Sequence, residues 1–485
     1  MSKSLSKNFF YNLFYQVVTL FSPLITVPYV SRILGKNGIG IYSYTGSITQ
    51  YFILLGTLGI CTYGNRQIAY VRDNKENMSK TFWSITLLKA TTTLIAFFIY
   101  LLVFGFNKEY GYIYLIQSIN ILAATFDISW FYMGLEDFKK TVTRNLIVKI
   151  ICIISIFIFI QTPNDLSKYL LINVLMALLG NLVMWMYIPN IVSKVNINFE
   201  DIISHFYPTL KLFIPQIAVQ IYSILDRTQL GILSNVSEVG LYEQSQKIIR
   251  LVLGLLTCTS AVMLPRMSNI FAHGDFKKMN RYLNTSLKAT SYICIPMAFG
   301  LIGISKEFVP WFFGKDFLDV SYLLVVLTPI LFFIGMSSIM GNQYLLPSNQ
   351  TKVYTISVTS GSIINVILNF ILIPKFQAIG TCISSIVAEF TVMFIQYIIL
   401  RKNIDIKNLS KSISKYIISS TIMLIVVRLI GLYMQSKVIT TVVQIIVGSI
   451  IYILSLLILK EEINLNIFKT VFLKLRIRIF QLYKY

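Results

Sequence analysis

Charge is scarce in this chain, and acid is scarcer still. Only 13% of its 485 residues are Asp, Glu, Lys or Arg, and 20 acids face 42 bases. Soluble domains carry about a quarter of their residues as charges, so a water-facing surface over most of this chain is excluded. Histidine occurs twice, as His205 and His273, and no His/Cys/Asp/Glu group has metal-ligand spacing. No G-x-x-x-x-G-K-[ST] loop is present, which argues against ATP hydrolysis. The five cysteines (61, 152, 258, 294 and 382) are odd in number and fall inside apolar segments, so they read as buried free thiols rather than disulfides. Long polar connections are missing too. A membrane glycosyltransferase or glycan polymerase needs a sizeable extracytoplasmic loop, and the longest external one here is about "KEFVPWFFGKD".

What the chain has in abundance is apolar length. It is 55% hydrophobic, and runs of about 20 apolar residues, enough to cross a bilayer core, recur from end to end. The alternation in segments of about 10 that marks a membrane β-barrel does not occur. Fourteen spans are predicted: 9–33, 41–65, 81–106, 112–135, 145–162, 167–191, 210–233, 240–264, 284–305, 317–341, 353–373, 377–400, 413–433 and 438–459. The first run is too long for a signal-peptide core and lacks a small-residue cleavage site, so it is expected to persist as span 1. The fold class is therefore an all-α polytopic membrane protein.

The net charge of +22 reads as topology, not nucleic-acid affinity. With a cytoplasmic N-terminus, 29 of the 42 Lys and Arg lie in or against cytoplasmic connections, 8 in external ones and 5 within spans. A missed span would invert every later loop and spoil this asymmetry. Both termini are expected in the cytoplasm, with the chain multi-pass in the cytoplasmic (inner) membrane. The tail "KTVFLKLRIRIFQLYKY" is basic and apolar, suited to an anionic leaflet surface.

The segment "ILGKNGIGIYSY" (33–44) is echoed by "LSNVSEVGLYEQ" (233–244), with Gly40-x-Tyr42 matching Gly240-x-Tyr242. Arg66 matches Arg266 at the same offset of 200, and "LKAT" recurs at 88–91 and 287–290. Six spans separate the copies, an even number, so both halves share one orientation. Such a parallel repeat, with its axis along the membrane normal, is a transporter layout. It predicts two six-helix lobes, 1–200 (spans 1–6) and 201–402 (spans 7–12), then two helices over 403–460 and a basic cytoplasmic tail over 461–485. The halves differ in charge: Lys36 faces Val236 in the alignment, and Arg32 faces Ile232.

Three blocks resemble a known family. "VPYVSRILGKNGIGIYSY" resembles its first-span ending. "DISWFYMGLEDFKK" (127–140), with Asp127, Trp130, Gly134 and Glu136, resembles its fourth-span signature. "NVILNFILIPKFQAIGTCISSIVAE" (365–389), with Asn365, Asn369, Pro374, Gly380 and Glu389, resembles its eleventh-to-twelfth-span block. The family is that of the Wzx-type polysaccharide (O-antigen or capsule repeat-unit) flippases of the MOP superfamily, which also holds MurJ lipid II flippases and MATE exporters. The resemblance covers about residues 5–400. It implies two lobes around a central cavity and a cargo of oligosaccharide linked through pyrophosphate to a polyprenyl lipid. Membrane lipids and the polysaccharide polymerase machinery are the partners it implies, with no nucleic acid.

A transporter of such a cargo must offer cations to the headgroup, and ionisable residues inside spans are costly enough to be functional candidates. The cations proposed for substrate binding are Lys247, Arg250, Arg227, Arg32, Lys89 and Arg428. Lys247 and Arg250 share a face of span 8, which the resemblance places beside a lateral opening. Glu243 lies one turn earlier, so that face is either a free cationic surface or an internally paired stripe. Arg227 either lines the cavity or snorkels to the surface. Lys89, like its repeat partner Lys288, is best read as snorkelling.

Coupling or gating candidates are Asp127, Asp226, Glu389, Arg66 and Arg266. Asp127 is mid-span and needs a cavity or a salt bridge. Glu389 is a proton or cation site, or a partner for Arg428. Arg66 and Arg266 either anchor to headgroups or form an inner gate. Pro23 and Pro28 are candidate bending points of span 1, as Pro296 and Pro329 are of spans 9 and 10.

The reading is a flippase working by alternating access through a cation-lined cavity, without cofactor or metal. Proton or sodium coupling, the membrane potential and product removal remain open as driving forces. A lipid II flippase and a MATE-like, cation-coupled drug exporter are the same-fold alternatives. A structural scaffold would not need mid-span charges.

Overall fold

The computed structural model describes residues 2–465, the side chains of 2–18, 20, 21, 138, 139, 214–219, 221–223 and 255–262 excepted. The predicted tail beyond residue 465 lies outside the described residues. Among them there are helices and no strands. Contacts divide the chain into two units, Met1–Glu243 and Gln244–Tyr485.

The first unit contains α1 (Ser2–Thr57), α2 (Ile60–Val71), α3 (Lys75–Phe104), α4 (Gly111–Phe126), α5 (Ser129–Gly134), α6 (Phe138–Phe159), α7 (Leu166–Trp185), α8 (Phe199–Ile203) and α9 (Phe206–Leu233). The long helix α10 (Val236–Ala272) begins in it. The second unit continues with α11 (Phe276–Phe312), α12 (Val320–Leu327), α13 (Pro329–Ser338), a π-helical stretch over Ile339–Leu345, α14 (Thr351–Leu400), α15 (Ile406–Tyr433) and α16 (Val438–Ile458). The division falls after Glu243, whereas the sequence repeat drew its lobe boundary at 200/201. The two last helices pack within the second unit, α15 and α16 both against α11.

All fourteen predicted spans fall on helices, but the breaks differ in kind from those expected. A whole external turn was expected between spans 1 and 2. A single non-helical residue does the work: Gly35, at φ 64° and ψ −179°, interrupts α1, and helix resumes at once. Only glycine adopts that backbone cheaply. Pro23 and Pro28 lie inside the helix on the N-terminal side of this break.

Span 2 is then cut again at Leu58 and Gly59, both left-handed, before α2. Span 4 is cut at Asp127 and Ile128, between α4 and α5. Spans 11 and 12 form one 50-residue helix broken at Gln377, and Pro329 begins α13 rather than bending a continuous span. Among the described residues, eight helices are long and apolar enough to cross a membrane.

The resembling block "DISWFYMGLE" has a packing reason. Trp130 lies over Gly64 of α2, and Gly134 takes Ile68 against its backbone, so α5 and α2 interlock glycine to side chain. Phe82 of α3 completes this core with Ile60, Tyr63, Phe131 and Tyr132. The second unit has its own core, in which Met267, Leu283, Leu287, Tyr344 and Leu400 are buried together. Of the described cysteines, Cys294 and Cys382 are buried and Cys152 is half-buried, and no disulfide joins the described ones. Cys61 is exposed, correcting the expectation of burial; it sits just past the left-handed break that turns α2. The Cys258 side chain lies outside the described ones.

Candidate functional site

The repeat has a physical counterpart inside the first unit. A Cβ on Gly40 would strike the Val236 carbonyl, and a Cβ on Gly240 would strike the Lys36 carbonyl. Asn37 and Ser237, also 200 apart, hydrogen-bond to each other. Under exchange of the two copies the Gly40 and Gly240 contacts map onto each other and the Asn37–Ser237 pair onto itself, the signature of a two-fold related pair. Gly40 and Gly240 therefore serve backbone-to-backbone approach.

A cavity of about 440 Å³ opens in this unit among α1, α4, α6, α7, α9 and the first turns of α10. Its lining is polar: Tyr42, Ser43, Thr49 and Gln50 from α1, Gln117 and Asn120 from α4, Asn181 from α7, with Asp127, Arg144, Arg227 and Glu243. Arg144 donates through Nη1 to Asn181 Oδ1 at 2.6 Å and to the Gly180 carbonyl at 3.3 Å. Asn181 in turn donates to the Ala123 carbonyl at 2.7 Å. Gln117 accepts from Asn120 at 2.8 Å and donates to Thr45 Oγ1 at 3.4 Å. The guanidinium is thus held on a frame of amides, and hydroxyl and amide groups occupy much of the rest. Such a wall can meet hydroxyl-bearing ligands and one anionic group.

Three successive residues of α9 are each tied down. Asp226 accepts from Tyr242 Oη at 2.6 Å, and Arg227 pairs with Glu243 at 2.7 Å. Thr228 is bonded to Ser47 at 2.8 Å and to Tyr51 at 3.1 Å. Adjacent residues point about 100° apart on a helix, so α9 is gripped from both sides. Arg227 therefore lines the cavity, 19% exposed and paired, instead of snorkelling.

Lys89 overturns its snorkelling reading as well. It is 4% exposed and donates to the main-chain oxygen of Asp127 at 2.5 Å. The break after α4 leaves that carbonyl without a helical donor, and Lys89 supplies one. The Asp127 carboxylate accepts from the Ser129 backbone at 2.9 Å and reaches the cavity wall. The repeat partner Lys288 behaves differently: it meets Glu462 at 3.6 Å and is 23% exposed.

Other predicted residues lie elsewhere. Arg32 is exposed on α1, while Lys247 is half-buried and Arg250 exposed on α10. Arg428 does not await Glu389: it faces Glu307 at 4.0 Å and donates to the Ile302 carbonyl at 2.5 Å. Glu389 is half-buried on α14. Arg66 lies over the Tyr63 ring at 5.9 Å and Arg266 over the Tyr282 ring at 4.6 Å, so both are exposed and ring-stacked. Pro296 lines a separate apolar cavity of about 410 Å³ in the second unit, with Met423, Val427 and Gly448.

Arg144, Gln117, Asn120, Asn181 and Glu307 were not singled out from sequence. Arg144 stands at a span edge, where a cation ordinarily reads as topology. The polar residues at 117 and 120 were the available signal, three apart on one face of span 4. Outside the spans, Lys80 pairs with Asp201 at 2.8 Å and holds its carboxyl below the usual range. Burial pushes the His205 imidazole below 6.5, and its Nδ1 is bonded to Tyr63 Oη at 2.8 Å. Backbone and side-chain donors from Asn408 lower the Asp405 carboxyl.

An all-helical chain of this span count, with a polar, charge-bearing cavity inside the bilayer-crossing bundle, is a multi-pass membrane transporter. Residues 5–271 match the family described as polysaccharide biosynthesis protein, and the chain belongs to that family. It is 23% identical over 411 residues to a protein of Escherichia coli (strain K12) named "Putative O-antigen transporter", covering 82% of this chain and 97% of that one. A segment of 202 residues, 40% of each chain, is 31% identical to a lipid II flippase MurJ of Thermosipho africanus. Among solved structures, lipid II flippase MurJ in an inward closed conformation superposes with a TM-score of 0.72 at 22% identity, covering 94% of this chain and 99% of that one. An inward-facing multidrug resistance MATE transporter of the MOP superfamily gives 0.60 at 13% identity, over 80% and 96%. The fold is that of the MOP-type transporters, and the chain is a transporter, not an enzyme.

Proposed function

We propose that this transporter is a flippase for undecaprenyl-pyrophosphate-linked oligosaccharide, moving it from the cytoplasmic to the outer leaflet of the inner membrane for surface polysaccharide synthesis. The observation that carries this reading is the likeness to the O-antigen transporter along 97% of that protein's length. The cavity chemistry supports it. Amides and hydroxyls suit sugar hydroxyls, and the amide-framed Arg144 suits one anionic group of the cargo. The lipid tail stays in the bilayer, alternating access carries the headgroup, and the termini face the cytoplasm. A proton or sodium gradient biases the cycle only through unequal affinity for its two states. Polymerase machinery receives the product.

The test is lipid-linked oligosaccharide in a strain lacking the gene and any paralogue. It is expected to accumulate on the cytoplasmic leaflet while surface glycan falls; normal surface glycan overturns the reading. The 202-residue likeness to a lipid II flippase favours a second reading. Rescue of cells depleted of their lipid II flippase would establish that cargo instead.

A further inference from the structure

A second polar cavity, of about 230 Å³, lies in the first unit apart from the one described above. One wall is the beginning of α3, where Asn77, Lys80, Thr81 and Ser84 fall at spacings of three, four and seven and share a helix face. The opposite wall is the α8–α9 connection, with Asp201, Ser204 and His205. Lys80 and Asp201 are paired at 2.8 Å, and His205 is bonded to Tyr63. The walls therefore carry one charge of each sign. Ser84 lines the cavity, is 1% exposed, and its Oγ has no hydrogen-bond partner in the protein. A buried hydroxyl without a partner is costly and calls for something in the cavity to meet it.

The surroundings say what kind of molecule comes near. Trp83 and Trp185 lie 6.2 Å apart, with the Trp83 indole donating to the Ser193 carbonyl. Paired tryptophans at the end of a span mark the headgroup level of a bilayer. Phe199, Ile203 and Tyr207 on the α8–α9 side are 73%, 52% and 73% exposed, an apolar fringe suited to acyl chains.

We propose that this cavity is a binding site for the headgroup of a zwitterionic membrane phospholipid bearing a primary ammonium. The phosphodiester oxygens accept from the Ser84 and Thr81 hydroxyls, the Asn77 amide and the Lys80 ammonium. The lipid's ammonium donates to the Asp201 carboxylate, whose charge would repel a purely anionic head. Bound this way, the lipid ties the first turns of α3 to the connection that starts α9. The site stands independently of the cargo.

The test uses the purified full-length protein, delipidated in detergent, with native mass spectrometry and thermal unfolding as readouts. Phosphatidylethanolamine is expected to be retained and to raise the unfolding midpoint. Phosphatidylcholine, whose ammonium cannot donate a hydrogen bond, phosphatidylglycerol and inorganic phosphate are expected to do so far less. Ser84→Ala, checked for an unchanged lipid-free midpoint, is expected to weaken retention about tenfold, the equivalent of one hydrogen bond to a charged group. Asn77→Asp, on the exposed rim, is expected to weaken it further by facing the phosphate with a like charge. Equal retention by wild type and both variants, or equal retention of phosphatidylglycerol or phosphate, overturns the proposal.

Discussion

At the scale of single residues, Lys89 shows what burial does to a cation that composition alone would send to the surface. Its stem is long enough to snorkel, yet the ammonium stays inside because the α4 break frees the Asp127 carbonyl within reach. That break was not legible: nothing in "ATFDISW" forbids helix, and the residue that stops it is an aspartate, not glycine or proline. What was legible was the cost of Asp127 at mid-span, and the structure answers it with Lys89 nearby and the Ser129 amide. Replacing Lys89 with Met removes the donor and leaves the carboxylate without its neighbouring cation. A loss of about 3 kcal/mol is expected, read as a lower unfolding midpoint in detergent. Lys89→Met with Asp127→Asn is expected to recover part of it, because the two changes share one interaction. Strict additivity in that cycle would show that the pair is not coupled.

At the scale of helices, the positions of the spans were readable and the shape of their joins was not. Apolar length fixes where a helix can cross, but a positive-φ residue such as Leu58 or Gln377 leaves no mark in the hydropathy pattern. Glycines carried more information than their spacing suggested. Gly64 and Gly134 are places where α2 and α5 accept each other's bulk, which gives the "DISWFYMG" block a structural reason independent of cargo. A Cβ at Gly64 would come within 2.9 Å of Trp130 Cδ2, and that ring is wedged against Phe82 and Phe131. Gly300 on α11 is the contrast, its nearest neighbour being the flexible end of Met423 at 3.9 Å. Gly64→Ala is therefore expected to cost about 1–3 kcal/mol through overpacking. Gly300→Ala is expected to be neutral or to gain about 0.5–1 kcal/mol from helix propensity. Thermal unfolding of the two variants side by side checks the pair, and equal midpoints would remove the packing argument.

At the scale of the whole chain, the repeat and the charge asymmetry are independent signals. The repeat was legible in three matched fragments, and its Gly40–Gly240 contact is reciprocal at the same offset of 200. The candidate site was less legible, because its uncharged polar lining is Gln, Asn, Ser, Thr and Tyr. These residues are tolerated in spans for many reasons and stand out only when brought around one cavity. The charge asymmetry makes a claim of its own: an even span count with cations inward places Lys108, between α3 and α4, outside the cell. Lys277, at the start of α11, then lies inside. Both are exposed, one in each unit. A single cysteine at either position, in a background cleared of the native thiols including the exposed Cys61, reports its side through a membrane-impermeant maleimide. The 108 variant is expected to label in intact cells, and the 277 variant only after permeabilisation. The reverse pattern would invert the whole topology, since every connection alternates with its neighbours. Labelling of both in intact cells would mean that an even number of crossings, not five, separates Lys108 from Lys277, and the parallel repeat would fall with it.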